Sequence, residues 1–267
     1  MAPTAAAAEG RARAPVVRLH QVGKRFAGGT VALDGVDLAI EPGSFVTLLG
    51  PSGCGKTTVL RLIAGLTEPS SGTLAVPAAT ATGASQLGFV FQEPTLLPWA
   101  TALKNVLLPL SLAGIPDAVA RERAEAALAS VGLAGFERAY PRELSGGMKM
   151  RVSIARAIVT QPKLLLMDEP FAALDEFTRF KLNDDLLALW QARRFTTVFV
   201  THSVFESVYL SQRIVVMAAR PGRVVSEVVI DAPHPRALAF RTSALYGQLC
   251  REVSERLASA IAPRRKP

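Results

Sequence analysis

Two cysteines, Cys54 and Cys250, are too few to build a disulfide scaffold or a cysteine zinc site in a chain of 267 residues. Charged residues make up only 19% against 49% hydrophobic, a globular balance with enough apolar mass for a real core. Long apolar runs are also lacking. The nearest stretch, ALKNVLLPLSLAGI, is broken by Lys104, Asn105 and Pro109, so a transmembrane helix is not expected. The opening MAPTAAAAEGRARAP has no apolar segment of the kind a signal peptide needs, and cytoplasmic residence is the expectation. There is no internal repeat and no sustained heptad pattern. The length fits one large domain or a core carrying a subdomain.

Acidic charge is in deficit, and the chain carries +8. Half of that excess comes from Arg11, Arg13, Arg264, Arg265 and Lys266, net of Glu9, in the expected tails. A nucleic-acid partner is therefore not expected from charge alone. Residues 1–14 are Ala/Arg/Gly-rich and expected to be disordered. VVRLHQVGKRF and VALDGVDLAI alternate apolar and polar side chains like half-buried strands. FVTLLG reads as a short buried strand, TTVLRLIAGL as an amphipathic helix closed by Gly65, and QLGFVFQ as another strand. From about 93 to 160 the texture turns helical, with PDAVARERAEAALASVGL and then 145–159. KLLLMDE is a continuous apolar strand, FKLNDDLLALWQAR a helix and TTVFVTH a strand. RIVVMAARPGRVVSEVVI reads as a hairpin turning at Pro221-Gly222, before one final helix over 236–260 and a basic tail. This order predicts a layered α/β domain over 15–235 with an inserted helical subdomain, followed by a C-terminal helix in 236–267.

GPSGCGKTT, 50–58, matches G-x-x-x-x-G-K-[ST] between a strand and a helix. Gly50, Gly53 and Gly55 let the backbone of the loop through Pro51, Ser52, Cys54 and Thr58 curl so that several N–H groups face one point, where phosphate is expected. The helix dipole adds positive potential there, and Lys56 adds a full charge for the β- and γ-phosphates. The Thr57 hydroxyl suits Mg²⁺. The alternative is a glycine-rich turn with a surface lysine. LLLMDE, 164–169, ends a buried strand on Asp168, a carboxylate that a metal partner would satisfy, followed by Glu169, which could polarise or position water. A plain acidic pair at a strand end is the other reading. Together the two motifs predict a nucleoside triphosphate bound with Mg²⁺ and hydrolysed.

LSGG, 144–147, opens a second helix that could hold an anion: Ser145 can cap it, and Gly146-Gly147 leave N–H groups open to close approach. It is either an ordinary helix start or a cradle for a nucleotide held by a second copy across a two-fold axis. GPSGCGKT, LSGG and LLLMDEP, in that order, resemble the ABC-transporter ATPase family over about residues 16–230. The resemblance implies a P-loop NTPase core with an antiparallel β subdomain and a helical subdomain, and a homodimer sandwiching two ATP molecules. It implies that LSGG closes over the partner's γ-phosphate. By the same resemblance Phe26 stacks on adenine in place of the usual Tyr, unless it is a core residue. Gln92, in FVFQEP, reaches the Mg²⁺ and water site, and His202, in TTVFVTHS, contacts the γ-phosphate; each could instead simply end a strand. Asp175, in FAALDE, couples the two sites across the dimer. Met150 stands where the family commonly has Gln, which implies a weaker cross-dimer contact on the ribose side.

EPTLLPWATALKNVLLPL, 93–110, is apolar and aromatic just past Gln92. In the family this region forms a groove for a short helix of the membrane permease, with Leu97 and Trp99 as walls here; plain core packing is the alternative. FVFQEPTLLPW, LLLMDEPFAALDEFTR and MAARPGRV are similar to the nitrate/sulfonate/taurine importer branch. That implies a peripheral subunit on the cytoplasmic face of the inner membrane, working with permease subunits and indirectly with a substrate-binding protein. The competing expectations are a soluble ABC ATPase of nucleic-acid or translation processes, for which the chain has no coiled-coil insert or second cassette, and a small-molecule kinase, which would not need LSGG.

Overall fold

Val17–Arg25 (β1) and Val31–Ile40 (β2) pair antiparallel, as the alternation of their side chains predicts, and bury one face while the other meets solvent. The computed structural model describes residues 14–76 and 86–261; the expected disorder of the N-terminal tail and the basic C-terminal residues lie outside them. Phe45–Leu49 (β3) is buried at every position and leads through the glycine loop into Lys56–Ile63 (α1). Ser71–Ala75 (β4), not anticipated from sequence, pairs antiparallel with β1 and completes a three-stranded sheet, β2-β1-β4. Its composition, SGTLA, lacks the β-branched and aromatic content that marks a strand; β1 supplies the pairing.

Leu87–Val90 (β5) precedes three helices that pack on one another: Ala102–Leu112 (α2), Asp117–Ser130 (α3) and Gly146–Ile158 (α4). The stretch read as a broken membrane span is thus α2, with Pro109 inside the helix. Among the described residues no helix is long and apolar enough to cross a membrane. Leu164–Asp168 (β6), Glu176–Arg193 (α5), Thr196–Thr201 (β7) and Val204–Leu210 (α6) follow. Arg213–Ala218 (β8) and Arg223–Val229 (β9) form the predicted hairpin.

The second sheet runs β5-β6-β7-β3-β8-β9, parallel except for β9. Its central strands are buried along their length up to Asp168, because helices cover them. The single helix expected over 236–260 is instead two, Leu238–Arg241 (α7) and Ala244–Ile261 (α8). The Ser243 hydroxyl accepts from the Tyr246 N–H (3.1 Å) and so starts a new helix where the pattern alone suggested continuity.

Candidate nucleotide site

Four parallel strands end on the same edge of the sheet, where ligands bind in open α/β folds. β3 delivers the glycine loop, β7 delivers His202, β6 delivers Asp168 and Glu169, and β5 delivers Gln92. The register makes this convergence quantitative: Leu49 pairs with Thr201, Asp168 with Val200 and Met167 with Val90. Residues more than 110 positions apart in sequence therefore meet, as Thr57 does when its hydroxyl donates to Asp168 Oδ1 at 2.9 Å (a separation of 111).

In the loop, Gly53 and Gly55 take left-handed φ of 76° and 90°, which favour glycine. A Cβ on Gly55 would sit 2.5 Å from Leu33 Cδ2, so the loop lies hard against β2 as well. Pro51 is half-buried, Ser52 and Gly53 are exposed, and Thr57 and Thr58 are half-buried on the first turn of α1. Gly50 is buried beneath them. Cys54 is a correction to the sequence reading. Its side chain is fully buried and its N–H donates to the Pro51 carbonyl (3.3 Å), so neither faces a ligand. Burial pushes its thiol above its ordinary value. Lys56 is 4% exposed, and its ammonium donates to the carbonyls of Gly50 (2.8 Å) and Pro51 (3.0 Å) while standing 3.8 Å from Glu169 Oε1. The cation is held by loop carbonyls at the place where phosphate charge is expected.

Burial raises the Asp168 carboxyl above its ordinary value, and the charge of Glu169 adds to the rise; the Thr57 hydrogen bond and the charges of Arg61 and Lys56 oppose it. Glu169 sits at φ 45°, and its Oε2 is 3.0 Å from His202 Nδ1. His202 is exposed, directly after β7. Gln92 is also exposed, two residues past β5. Phe26 is 43% exposed beyond β1, with the Lys24 ammonium 5.4 Å from its ring centroid, and this excludes the core reading.

Ser145 and Gly146 are exposed at the start of α4, and the Ser145 hydroxyl accepts from the Met148 N–H (3.3 Å). Gly147 departs from the expectation of an open glycine: it is buried, and a Cβ there would meet Thr178 Cγ2 of α5 at 2.7 Å. Met150 is 2% exposed and packs in the main core. Asp175 is exposed and caps α5, accepting from the Thr178 N–H (2.9 Å); that bond holds its carboxyl below its ordinary value. The burial of Cys54, Gly147 and Met150 is not legible in the sequence, because it depends on which element packs against each.

Residues 33–172 match the ABC transporter family. This chain belongs to it. An ABC transporter ATP-binding protein of Methanocaldococcus jannaschii is 51% identical over 79% of this chain and 80% of its own length. The aliphatic sulfonates import ATP-binding protein SsuB of Bacillus cereus is 43% identical over 83% of this chain and 88% of its own length. The dimeric structure of MJ0796, a bacterial ABC transporter cassette, superposes with a TM-score of 0.72 at 33% identity, covering 81% of this chain and all of that one. MJ0796 in a dimeric post-hydrolysis state bound to ADP and Pi gives 0.71. The fold is accordingly the ABC ATPase fold, and the chain is an ATP-binding cassette with ATP as the nucleotide.

Sequence reasoning missed several supports of this cassette's site. Gly222, in the β8–β9 turn, exchanges backbone hydrogen bonds with Ala32 (3.0 Å) and Asp34 (3.0 Å), and a Cβ there would strike the Cys54 carbonyl. The turn thus props the phosphate loop from below. Thr201 donates to Glu206 Oε2 (2.6 Å) and accepts from the Ser203 N–H (3.0 Å), which fixes the backbone on either side of His202. Both signals are single small residues whose partners are remote or whose helix, α6, is short.

Proposed function

We propose that this chain is the ATP-hydrolysing subunit of a membrane importer of small solutes, of the nitrate/sulfonate/taurine type, and that it works as a homodimer with two ATP molecules sandwiched between copies. The observation that carries the reading is the meeting of Lys56, Thr57, Asp168, Glu169 and His202 on one sheet edge. The exposed Ser145 and Gly146 start a separate helix, available to a second copy's nucleotide, and the dimeric cassette with the same fold supports that arrangement. The likeness to SsuB supports an importer of sulfonate-like anions. Solute selection would belong to permease subunits and, indirectly, a substrate-binding protein, with the cassette peripheral on the cytoplasmic face of the membrane and no nucleic acid involved.

The donor set fits Mg²⁺. Thr57 and Asp168 present hard oxygens, Gln92 can add an amide oxygen, and the raised Asp168 carboxyl is a buried charge in want of a cation. When bound, Mg²⁺ would neutralise developing phosphate charge. Lys56 exchanges loop carbonyls for the β- and γ-phosphates, and the loop N–H groups bind and orient them. Glu169 accepts from the attacking water, and His202 holds that carboxylate in place. Phe26 offers a ring to adenine, and Asp175, which caps α5 next to the LSGG helix α4, is placed to relay between sites. Loss of the γ-phosphate removes what joins the copies, and the dimer opens.

The permease would dock in the groove of about 350 Å³ lined by Phe89, Phe91, Leu108, Pro109, Leu112 and Arg156. Neither Leu97 nor Trp99, expected as its walls, lines this groove, although Trp99 is 74% exposed. The deciding experiment is Glu169→Gln with ATP in size-exclusion chromatography. A stable dimer is expected, with turnover down by about 100-fold or more; a monomer at saturating ATP would overturn the sandwich. Uptake by the purified complex against a panel of nitrate, aliphatic sulfonates and taurine identifies the solute.

A further inference from the structure

The strand edge opposite the nucleotide site carries a cleft of about 520 Å³, within the range of small-molecule sites (about 300–1,000 Å³). β3, β6 and β7 begin beside it, behind Gly43, Lys163 and Phe195, and α4 and α5 end on it, at Ile158 and Arg193. Val16, Ile158 and Phe195 give it an apolar wall. Its charge is all of one sign. Lys163, Arg193 and Arg194 line it and are exposed, and no carboxylate lines it. Among the described residues none of the three is in an ion pair. The two helix C-termini together supply about one negative charge, which leaves about two positive charges unmatched.

The same helix ends keep side chains where the backbone disfavours them. α1, α2 and α3 close on left-handed glycines, Gly65 (φ 69°), Gly114 (φ 69°) and Gly132 (φ 73°), the common way to end a helix. α4 and α5 close instead on Gln161 (φ 55°) and Arg194 (φ 53°), where a Cβ is costly. Both of these line the cleft, and the Arg194 guanidinium is steadied 5.3 Å from the Trp190 ring centroid. Two such side chains, retained beside an unpaired positive cleft, point to an occupant that they bind. Guanidinium forks and an ammonium suit phosphate oxygens. A phosphate monoester carries about −1.5 to −2 at neutral pH, which matches the surplus. The apolar wall takes the ester's body. We propose that this cleft binds a small dianion of the phosphate-monoester class, free or as a lipid headgroup. α4 and α5 start at Ser145 and Asp175, so the occupant braces the far ends of two helices that open on the nucleotide edge. The site stands apart from the ATPase reading and does not depend on it.

Isothermal titration of the full chain tests it, with the phosphate loop filled by Mg²⁺ and a non-hydrolysable ATP analogue. Phenyl phosphate is the probe, and benzenesulfonate, with the same body and one charge, is the control. Phenyl phosphate is expected to bind about tenfold or more tighter than the control. Cosedimentation with phosphatidic acid vesicles, against phosphatidylglycerol vesicles, is the lipid arm; binding in that arm alone assigns the same site to a headgroup. Lys163→Gln and Arg194→Gly should each weaken binding about tenfold. Both are expected to fold: the backbone of Lys163, not its side chain, is tied to Gln86 and Thr196 (2.9 Å each), and glycine suits the φ of Arg194. Lys104→Gln, an exposed lysine on α2, removes the same charge elsewhere and should bind like the parent. No binding in either arm, single-charge controls that bind as well, affinity unchanged in either cleft variant, or an equal loss in Lys104→Gln overturns the site.

Discussion

At Glu169 the backbone adopts φ 45°, a left-handed conformation that a side chain with a Cβ takes only at a cost. The surroundings enforce it: its N–H donates to the Val200 carbonyl (3.0 Å) and its carboxylate lies between Lys56 and His202. Strain of this kind puts the carboxylate beside the phosphate loop rather than along the strand axis. Its neighbour Asp168 carries a different burden. Its folded carboxyl titrates above the ordinary value of 3.8, so its favourable contribution is complete below that pH and is lost as pH rises through the folded value. At neutral pH the ionised group therefore weighs against the nucleotide-free fold. Asp168→Asn keeps an acceptor for Thr57 and removes the charge. Calorimetry should show a higher melting temperature at pH 7, with the gap to the parent narrowing toward pH 4. ATP turnover should fall about 100-fold.

At the scale of elements, α4 and α5 approach so closely at Gly147 that only hydrogen fits against Thr178 Cγ2. Gly147→Ala should destabilise by about 1–3 kcal/mol in urea unfolding, and adding Thr178→Ser should restore most of it because the methyl group goes. Gly147 thus has a packing duty besides any duty to nucleotide. α6 depends on a remote cap. Arg236 is 5% exposed, and its Nη1 donates to the carbonyls of Val208 (2.9 Å), Tyr209 (2.8 Å) and Ser211 (2.8 Å). Burial pulls its guanidinium down to about 10, still charged at neutral pH. Arg236→Met strands those acceptors, and a loss of about 3 kcal/mol in urea unfolding is expected. α2 is anchored in a similar way. Asn105, fully buried, accepts from Leu97 N–H (2.7 Å) and donates to the carbonyls of Leu97 (3.2 Å), Ala100 (3.1 Å) and Thr101 (3.0 Å). Arg156 ties the same loop to α4 through the carbonyls of Pro94 (2.9 Å) and Thr95 (2.8 Å). Together they give the proposed permease groove a rigid wall.

For the whole molecule, the nucleotide site and the proposed permease groove lie on different parts of the fold, joined through β5, Gln92 and the helices that follow it. Leu112 is 81% exposed on the groove, so nothing in this chain's own packing holds it there. Leu112→Asp should melt at the parent's temperature while recovering about tenfold less permease in copurification, since a charge would be buried against an apolar helix. Equal recovery would move the docking site elsewhere.

The chain by itself determined the elements with strong local signals. GPSGCGKTT between a strand and a helix, the apolar run into Asp168 and the Pro221-Gly222 hairpin each stand where their patterns put them, because strand–loop–helix geometry, full burial and turn chemistry are local properties. Helix α6 and strand β4 escaped notice: one is only seven residues long, and the other pairs only because β1 is beside it. Tertiary structure alone decided which face each site residue shows. Cys54, Gly147 and Met150 sit in correctly located motifs yet turn inward, and Gly222 and Arg236 serve parts of the fold far from them in sequence. Spacing specifies where a residue falls along a helix or loop, but burial depends on the element packed against it, and that is fixed only when the whole sheet and its helices come together.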